Sequence, residues 1–290
     1  MAKLDLRQGL TDNQEYKAFK FPGGEIHFLI QRPNILYTGT SKIEIISSIK
    51  SSDDLMLLIL AIDTIRKDGF KGQLEVFIPY FPYAQADRNF GLGESFSLKT
   101  ITNILNTLNV DKFIVYDVHS DVASGLLNNC EVIDNSEFVK YVIGDINSQN
   151  LILLSPDAGA YKKIGKLADK IQFKGNVAAA NKYRNLSSGN IESLELSIQD
   201  FGGADVLIID DIIMGGRTFI GLAEKLKERN VGKIFLAVSH GVFNYGLNDL
   251  NTHFDGIYTT NSRINHFKDE DFTKKNYGDL GKLNVYDIVK

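Results

Sequence analysis

The 290 residues of the chain are 43% hydrophobic, enough apolar material for two α/β lobes or one large one. Its 32 Lys and Arg against 36 Asp and Glu leave a net charge of −4 with mixed signs and no basic tract, which excludes nucleic acid and anionic membranes as expected partners. Cys130 is the single cysteine, the opening MAKLDLRQGLTDNQEY lacks an apolar signal core, and no apolar run reaches bilayer length, so a soluble cytoplasmic protein without disulfides is expected.

In chain order, EIHFLI and NILYTGT predict early strands. SSDDLMLLILAIDTIRKDG predicts a helix, with Ser and Asp caps at its start and Arg, Lys and Gly at its end. LEVFIPYF reads as a buried strand, SLKTITNILNTLN as a helix, and DKFIVYDVHS as a strand that ends in polar residues. The best domain break lies in DNSEFVKYVIGDINSQN, residues 134–150, and divides the chain into lobes 1–138 and 139–290. LILLSPDAG, a helix through YKKIGKLADKI, NVAAAN, VLIIDD with its helix FIGLAEKLKER, and KIFLAVSHG then repeat the alternation. Such repeats imply mostly parallel sheets with helices on both faces, whose ligands gather at the C-terminal strand ends. The chemistry is therefore expected in PYFPYAQADR, DVHS, SPDAG, IIDDIIMGGRT and SHG.

The most informative of these runs from Val206 to Thr218, VLIIDDIIMGGRT. An apolar strand ends in Asp210 and Asp211, and Gly215-Gly216-Arg217-Thr218 then opens a helix. Glycines and a hydroxyl at a strand-to-helix turn present backbone N–H groups to a phosphate. Two neighbouring acids can accept hydrogen bonds from vicinal hydroxyls. Diol plus phosphate points to a ribose phosphate. Taken singly, the acids also serve elsewhere as helix caps or metal ligands, and a Gly pair as a tight bend.

At these motifs the chain resembles the ribose-phosphate diphosphokinases, the PRPP synthetases, as a divergent member. FPGGE (Phe21 to Glu25) resembles the family's nucleotide-binding Phe-x-Asp/Asn-Gly-Glu, and PYFPYAQADR its Pro-Tyr-x-x-Tyr-Ala-Arg-Gln-Asp-Arg. DVHS resembles Asp-Leu-His, SPDAG resembles Ser-Pro-Asp-x-Gly, and NKYR resembles the start of the catalytic loop. The resemblance implies two α/β lobes of phosphoribosyltransferase type, each a parallel-rich sheet flanked by helices, with the active site between them. It implies transfer of the terminal diphosphate of ATP to the anomeric hydroxyl of ribose 5-phosphate, giving PRPP and AMP for nucleotide biosynthesis. By the same resemblance, Phe21, Glu25, Asp87, Arg88 and His119 bind ATP, and His119 with Asp157 holds Mg²⁺. Lys182, Arg184 and His119 are the candidate catalytic groups, with NLSSGN after them as a closing lid. Asp210, Asp211, Gly215, Gly216, Arg217 and Thr218 bind the ribose phosphate. A cytoplasmic homo-oligomer is implied, its ATP site borrowing FPGGE-type residues from a neighbour, and LGKLNVYDIVK is expected to pack back on a lobe. His240 lies near the family's site with no role assigned, and Tyr80, Phe81 and Tyr83 are expected in the core or an interface.

The departures carry information too. Gly23 replaces an Asp or Asn, Gln85 and Ala86 replace Arg and Gln, and the sugar-phosphate loop loses a Thr hydroxyl at Gly215 while gaining a cation at Arg217, where the family has Gly. Bulk removed at Gly215 plus the planar fork of Arg217 would suit a 5-diphosphate ester such as ADP-ribose, a substrate of NAD metabolism. The alternatives are a catalytically weak regulatory homologue and a phosphoribosyltransferase that uses PRPP. Retention of His119, Asp157, Lys182, Arg184 and the Asp pair argues against an inert protein.

Overall fold

Strand and helix alternate along the computed structural model of the chain, which describes residues 1–89, 91–184, 191–263 and 280–289, with the backbone alone at 181–184 and 191–194. The chain divides into two units, Met1–Asp134 and Asn135–Lys290.

The first unit runs β1 (Ala2–Asp5), β2 (Tyr16–Lys20), β3 (Ile26–Ile30), α1 (Pro33–Tyr37), β4 (Lys42–Ile46), α2 (Ser52–Lys67), β5 (Gln73–Ile78), α3 (Ser97–Asn106), β6 (Lys112–Tyr116), α4 (Asp121–Leu126) and β7 (Cys130–Ile133). Strands β1-β4-β5-β6-β7 form a sheet in that order, parallel throughout, while β2 and β3 make a separate antiparallel hairpin. The long helix α2 forms where expected. Ser51 accepts from the Asp54 N–H as its cap, Asp53 and Asp54 sit in the first turn, and Arg66 and Lys67 in the last, each charge matched to the helix dipole. Leu57, Leu58, Ala61, Ile62 and Ile65 are its buried stripe and join the core of this unit.

NILYTGT is not a strand. Pro33 stands at the first helical position of α1, where a fixed φ and a missing N–H suit a helix start. Only Leu36 of that helix is buried. The strand falls instead on KIEII, whose Ile43, Ile45 and Ile46 are buried. β5 likewise stops at Ile78, because Pro79 has no N–H for the ladder.

The second unit runs α5 (Ser136–Ile146), β8 (Leu151–Ser155), α6 (Ala158–Lys170), β9 (Val177–Arg184), β10 (Ile191–Leu196), β11 (Asp205–Ile213), α7 (Arg217–Lys227), β12 (Ile234–Gly241), α8 (Asn248–His253), β13 (Gly256–Thr260) and β14 (Leu283–Tyr286). The sheet order is β10-β9-β8-β11-β12-β13-β14, antiparallel only between β9 and β10. The last residues thus return to this unit as β14, beside β13. A cut between residues 138 and 139 would fall inside α5, whose Phe138, Val139 and Val142 pack with Leu151 and Leu153 of β8.

Side chains alternate along the central strand β11. Val206 and Ile208 pack with Phe219, Leu222 and Leu226 of α7, while Leu207 and Ile209 pack with Phe138, Ile164 and Leu167 of α5 and α6. A strand covered by helices on both faces must be apolar on both, which is why VLII reads as one continuous run. Among the described residues, no helix is long and apolar enough to cross a membrane.

Candidate active site

In the second unit, β11 carries Asp210 and Asp211 at its C-terminal end, beside β8 and β12. The Asp211 N–H donates to Asp210 Oδ1 at 2.9 Å. Burial foremost, then the charge of Asp211 and a side-chain hydrogen bond with it, holds the Asp210 carboxyl well above the usual carboxylate range, and Asp157 adds to the shift. Two acids pressed together this way gain when hydroxyl donors or a cation reach them.

The pair therefore costs stability when both are ionised. A carboxyl whose folded-state pKa is raised holds its proton in the folded protein after the unfolded chain has lost it. Its stabilisation is full below the ordinary carboxylate pKa and is lost as pH rises through the folded one. Asp210→Asn, which cannot ionise, should raise the thermal midpoint at pH 7 by a few degrees, at about 2–4 °C per kcal/mol in a domain of this size. The gain should vanish in acid, below the usual carboxylate range. A midpoint lowered at pH 7 would show that the charge is stabilising instead.

β11 ends in the buried Ile212 and Ile213, and the loop after it exposes Met214 and enters α7 through Gly216, whose φ of +82° favours glycine. α7 starts at Arg217 and has no side-chain N-cap bond, so its first turn keeps the anion-binding character of a bare helix N-terminus. Arg217 is exposed and Thr218 half-buried. The Arg217 guanidinium stands 5.6 Å from the ring centre of Tyr245, a residue the sequence reading missed. The space expected at Gly215 is filled. A Cβ there would lie 2.6 Å from Tyr245 Cε2, so the ring takes the room that the missing side chain leaves. Its sequence signal is an Asn-Tyr-Gly turn just beyond the C-terminal end of a central strand.

SPDAG follows β8. Asp157 Oδ1 accepts the Ala160 N–H at 2.9 Å and caps α6, and Ser155 Oγ donates to the Asp157 carbonyl at 2.6 Å. The residue proposed for metal binding therefore also holds a helix end. Asp157→Ala should cost about 0.5–2 kcal/mol of stability, whereas Asp157→Asn, an equally good cap, should cost far less. If Asp157 serves Mg²⁺, the Asn variant should lose activity at ordinary Mg²⁺ and regain part of it at high Mg²⁺. Full activity of Asp157→Asn at ordinary Mg²⁺ would overturn the metal role.

Asn181 to Arg184 end β9, with Lys182 opposite Leu194 and Arg184 opposite Ile191, and the register shifts between Ile191 and Ser193. The lid expected at NLSSGN, residues 185–190, lies outside the described residues. His240 is buried, its Nδ1 2.8 Å from Ser262 Oγ, and that hydroxyl lies 3.1 Å from the Ser239 carbonyl.

In the first unit, the segments after β5 and β6 bring Asp87, Arg88, His119 and Ser120 together. Arg88 Nε donates to Asp87 Oδ1 at 2.9 Å. That bond holds the Asp87 carboxyl below the usual range against the opposing effect of burial, with help from the charges of Arg88 and His119. His119 is exposed, while Asp117 before it is buried with φ at +39°. A left-handed, buried, non-glycine residue at a strand end stores strain of about 1–3 kcal/mol, a feature that collects at functional sites. Phe81 is in the core, and Tyr83 is exposed with φ at +56°.

Phe21 and Glu25 sit on another element, the turn of the β2–β3 hairpin. The Phe21 N–H donates to the Glu25 carbonyl at 2.8 Å, and the exposed Phe21 ring meets Phe19 edge-on at 5.1 Å. A Cβ at Gly23 would lie 2.5 Å from Glu25 Oε2, so the absence of the family's acid or amide there leaves room for the Glu25 carboxylate. Cys130 is half-buried, and burial pushes its thiol up to about 11, which suppresses the reactive thiolate.

The N-terminal domain of ribose phosphate pyrophosphokinase matches residues 9–108, and the phosphoribosyl transferase domain matches residues 127–267. The chain belongs to the ribose-phosphate pyrophosphokinase family. The ribose-phosphate pyrophosphokinase of Pyrococcus furiosus is 29% identical over 249 residues, 84% of each chain. That of Vibrio cholerae is 28% identical over 218 residues, 73% of this chain and 68% of the relative. The crystal structure of phosphoribosylpyrophosphate synthetase from Mycobacterium smegmatis superposes with a TM-score of 0.77 at 19% identity, covering 99% of this chain and 95% of that one. The fold is thus the two-domain α/β fold of this family, with parallel-rich sheets flanked by helices.

Among the described residues, no three His, Cys, Asp or Glu side chains form a metal cage. Mg²⁺ takes hard oxygen ligands and is commonly held by one or two carboxylates plus substrate phosphates, so the carboxylate of Asp157 fits it by chemistry.

Proposed function

We propose that this chain is a diphosphokinase that moves the terminal diphosphate of ATP to the anomeric hydroxyl of a ribose 5-phosphate moiety and releases AMP. The observation that carries the reading is the Asp210–Asp211 pair near the C-terminal end of β11, with the helix N-terminus of α7, which no side chain caps, following after a short turn. In this reading the acids hold the 2- and 3-hydroxyls, and the first turn of α7 with Thr218 holds the 5-phosphate. The anomeric hydroxyl oxygen then attacks the β-phosphorus and gives up its proton to water, the bond from that phosphorus to the α–β bridging oxygen breaks, and AMP leaves with its electron pair. Lys182 and Arg184 stabilise the spreading charge, and in-line positioning supplies much of the rate. Phe21, Glu25, Asp87, Arg88 and His119 bind ATP. His119 and Asp157 hold Mg²⁺, which when bound neutralises the nucleotide phosphates. We further place the protein in the cytoplasm as a homo-oligomer, with the exposed Phe21 hairpin offered to a neighbour's ATP site.

The acceptor we propose is ADP-ribose. Arg217 adds a bidentate cation at the first position of α7, where a monophosphate is already served by backbone and hydroxyl donors. The structure changes one part of this argument. Charge supports the larger acceptor, whereas the room at Gly215 belongs to Tyr245. Incubation with ATP, Mg²⁺ and either acceptor, with AMP followed, tests both levels. AMP formed faster with ADP-ribose supports the full reading, and AMP only with ribose 5-phosphate supports the ordinary family reaction. AMP from neither, or consumption of PRPP with a nucleobase, refutes the diphosphokinase reading.

A further inference from the structure

An exposed tyrosine by itself is ordinary surface. Tyr245 differs in how it is held and in what it touches. It is 72% exposed, yet its turn is fixed to the sugar-phosphate loop by the Val242 N–H donating to the Ile213 carbonyl at 2.9 Å and the Asn244 N–H to the Met214 carbonyl at 2.8 Å. The Gly246 N–H closes the turn on the Phe243 carbonyl at 2.8 Å. Phe243 anchors it as a fully buried ring with φ at +52°, a conformation that a bulky residue keeps only where its surroundings dictate it. The chain thus accepts strain to hold an aromatic ring in water, directly on Gly215 and 5.6 Å from the Arg217 guanidinium.

We propose that Tyr245 is a specificity-determining residue whose ring carries the distal nucleoside of an acceptor extended at its 5-phosphate. The proposal rests on the acceptor reading above and deepens it. A ribose phosphate ends at its first phosphate and offers nothing for a π-face to bind. When a second phosphate is gripped by Arg217, the group attached to it lies beside the ring against which that guanidinium packs. A base is flat and stacks on tyrosine whatever its identity, and removal of such a stacking ring typically weakens binding by roughly 5- to 150-fold. Gly215 is then glycine because a side chain there would displace the platform, and Arg217 and Tyr245 act as one recognition unit.

The test is calorimetric binding of ADP-ribose and of ribose 5-phosphate to the full chain, for the wild type, Tyr245→Ala and Tyr245→Phe, alongside turnover with each acceptor. The alanine variant should lose ADP-ribose affinity by roughly 5- to 150-fold and ribose 5-phosphate affinity far less. The phenylalanine variant should keep most of it, because the ring and not the hydroxyl does the stacking. Unchanged ADP-ribose binding in Tyr245→Ala, or equal losses for both acceptors, would overturn the assignment. The two ideas separate cleanly. ADP-ribose bound through Tyr245 but never turned over sinks the acceptor reading and keeps the platform. Turnover of ADP-ribose unaffected by Tyr245→Ala does the reverse.

Discussion

Lys182→Ala and Arg184→Ala should each lower kcat by about 10²–10³-fold while changing the Michaelis constants far less, the loss typical of one electrostatic contact aimed at developing charge. The ground-state triphosphate is already charged, so a cation acting there alone would change KM instead. Diphosphoryl transfer spreads negative charge over oxygens that no hydroxyl can neutralise, and a cation brought up only in the transition state lowers the barrier without tightening substrate binding. Both residues lie near the end of β9, where the antiparallel partner β10 fixes the backbone. Steady-state kinetics with ATP varied at saturating acceptor separates the two parameters. Wild-type turnover in both variants would reduce these residues to surface charges.

Arg217→Gly, which restores the family's residue, should weaken ADP-ribose by roughly 10- to 150-fold and ribose 5-phosphate much less. That range follows from about 1.5–3 kcal/mol for a hydrogen bond to a charged group, at about 1.4 kcal/mol per decade. Arg217 is exposed and starts α7, so its loss removes little packing. The guanidinium also packs on Tyr245, an exposed cation–π contact worth about 0.5–1 kcal/mol, which Arg217→Lys would partly keep while losing the bidentate fork. Lysine should therefore fall between arginine and glycine for ADP-ribose. The ratio of acceptor affinities is the measurement. Equal losses for both acceptors would make Arg217 a support of the loop, and no loss for either would favour ribose 5-phosphate.

Long apolar runs with clear ends were legible in the sequence. β11 buries both faces, so its four apolar residues stand together, and α2 advertises itself through Ser51, its first-turn acids and its last-turn bases. Short edge elements were not. β1 and β7 have four residues each, too few for a period to emerge. NILYTGT misled because its β-like composition hid the effect of Pro33. At the site, motif order pointed to Asp210, Asp211 and the glycine turn, and the structure adds how burial raises the Asp210 carboxyl. The helix-capping duty of Asp157 is a hydrogen bond three residues on, implicit in SPDAG but shared with any Asp at a helix start. Tyr245 was invisible for a different reason. Its neighbours Gly215 and Arg217 belong to another strand's loop, and only the β11–β12 pairing brings them together.

The most direct test of the central claim follows one oxygen atom. ADP-ribose or ribose 5-phosphate carrying heavy oxygen at the anomeric carbon is incubated briefly with ATP and Mg²⁺, and the product is read by phosphorus NMR and mass spectrometry. Attack by the anomeric oxygen on the β-phosphorus keeps the label, places it in the bridge between C1 and the new diphosphate, and yields one AMP per product. Loss of the label from the product, or ADP in place of AMP, would contradict the account.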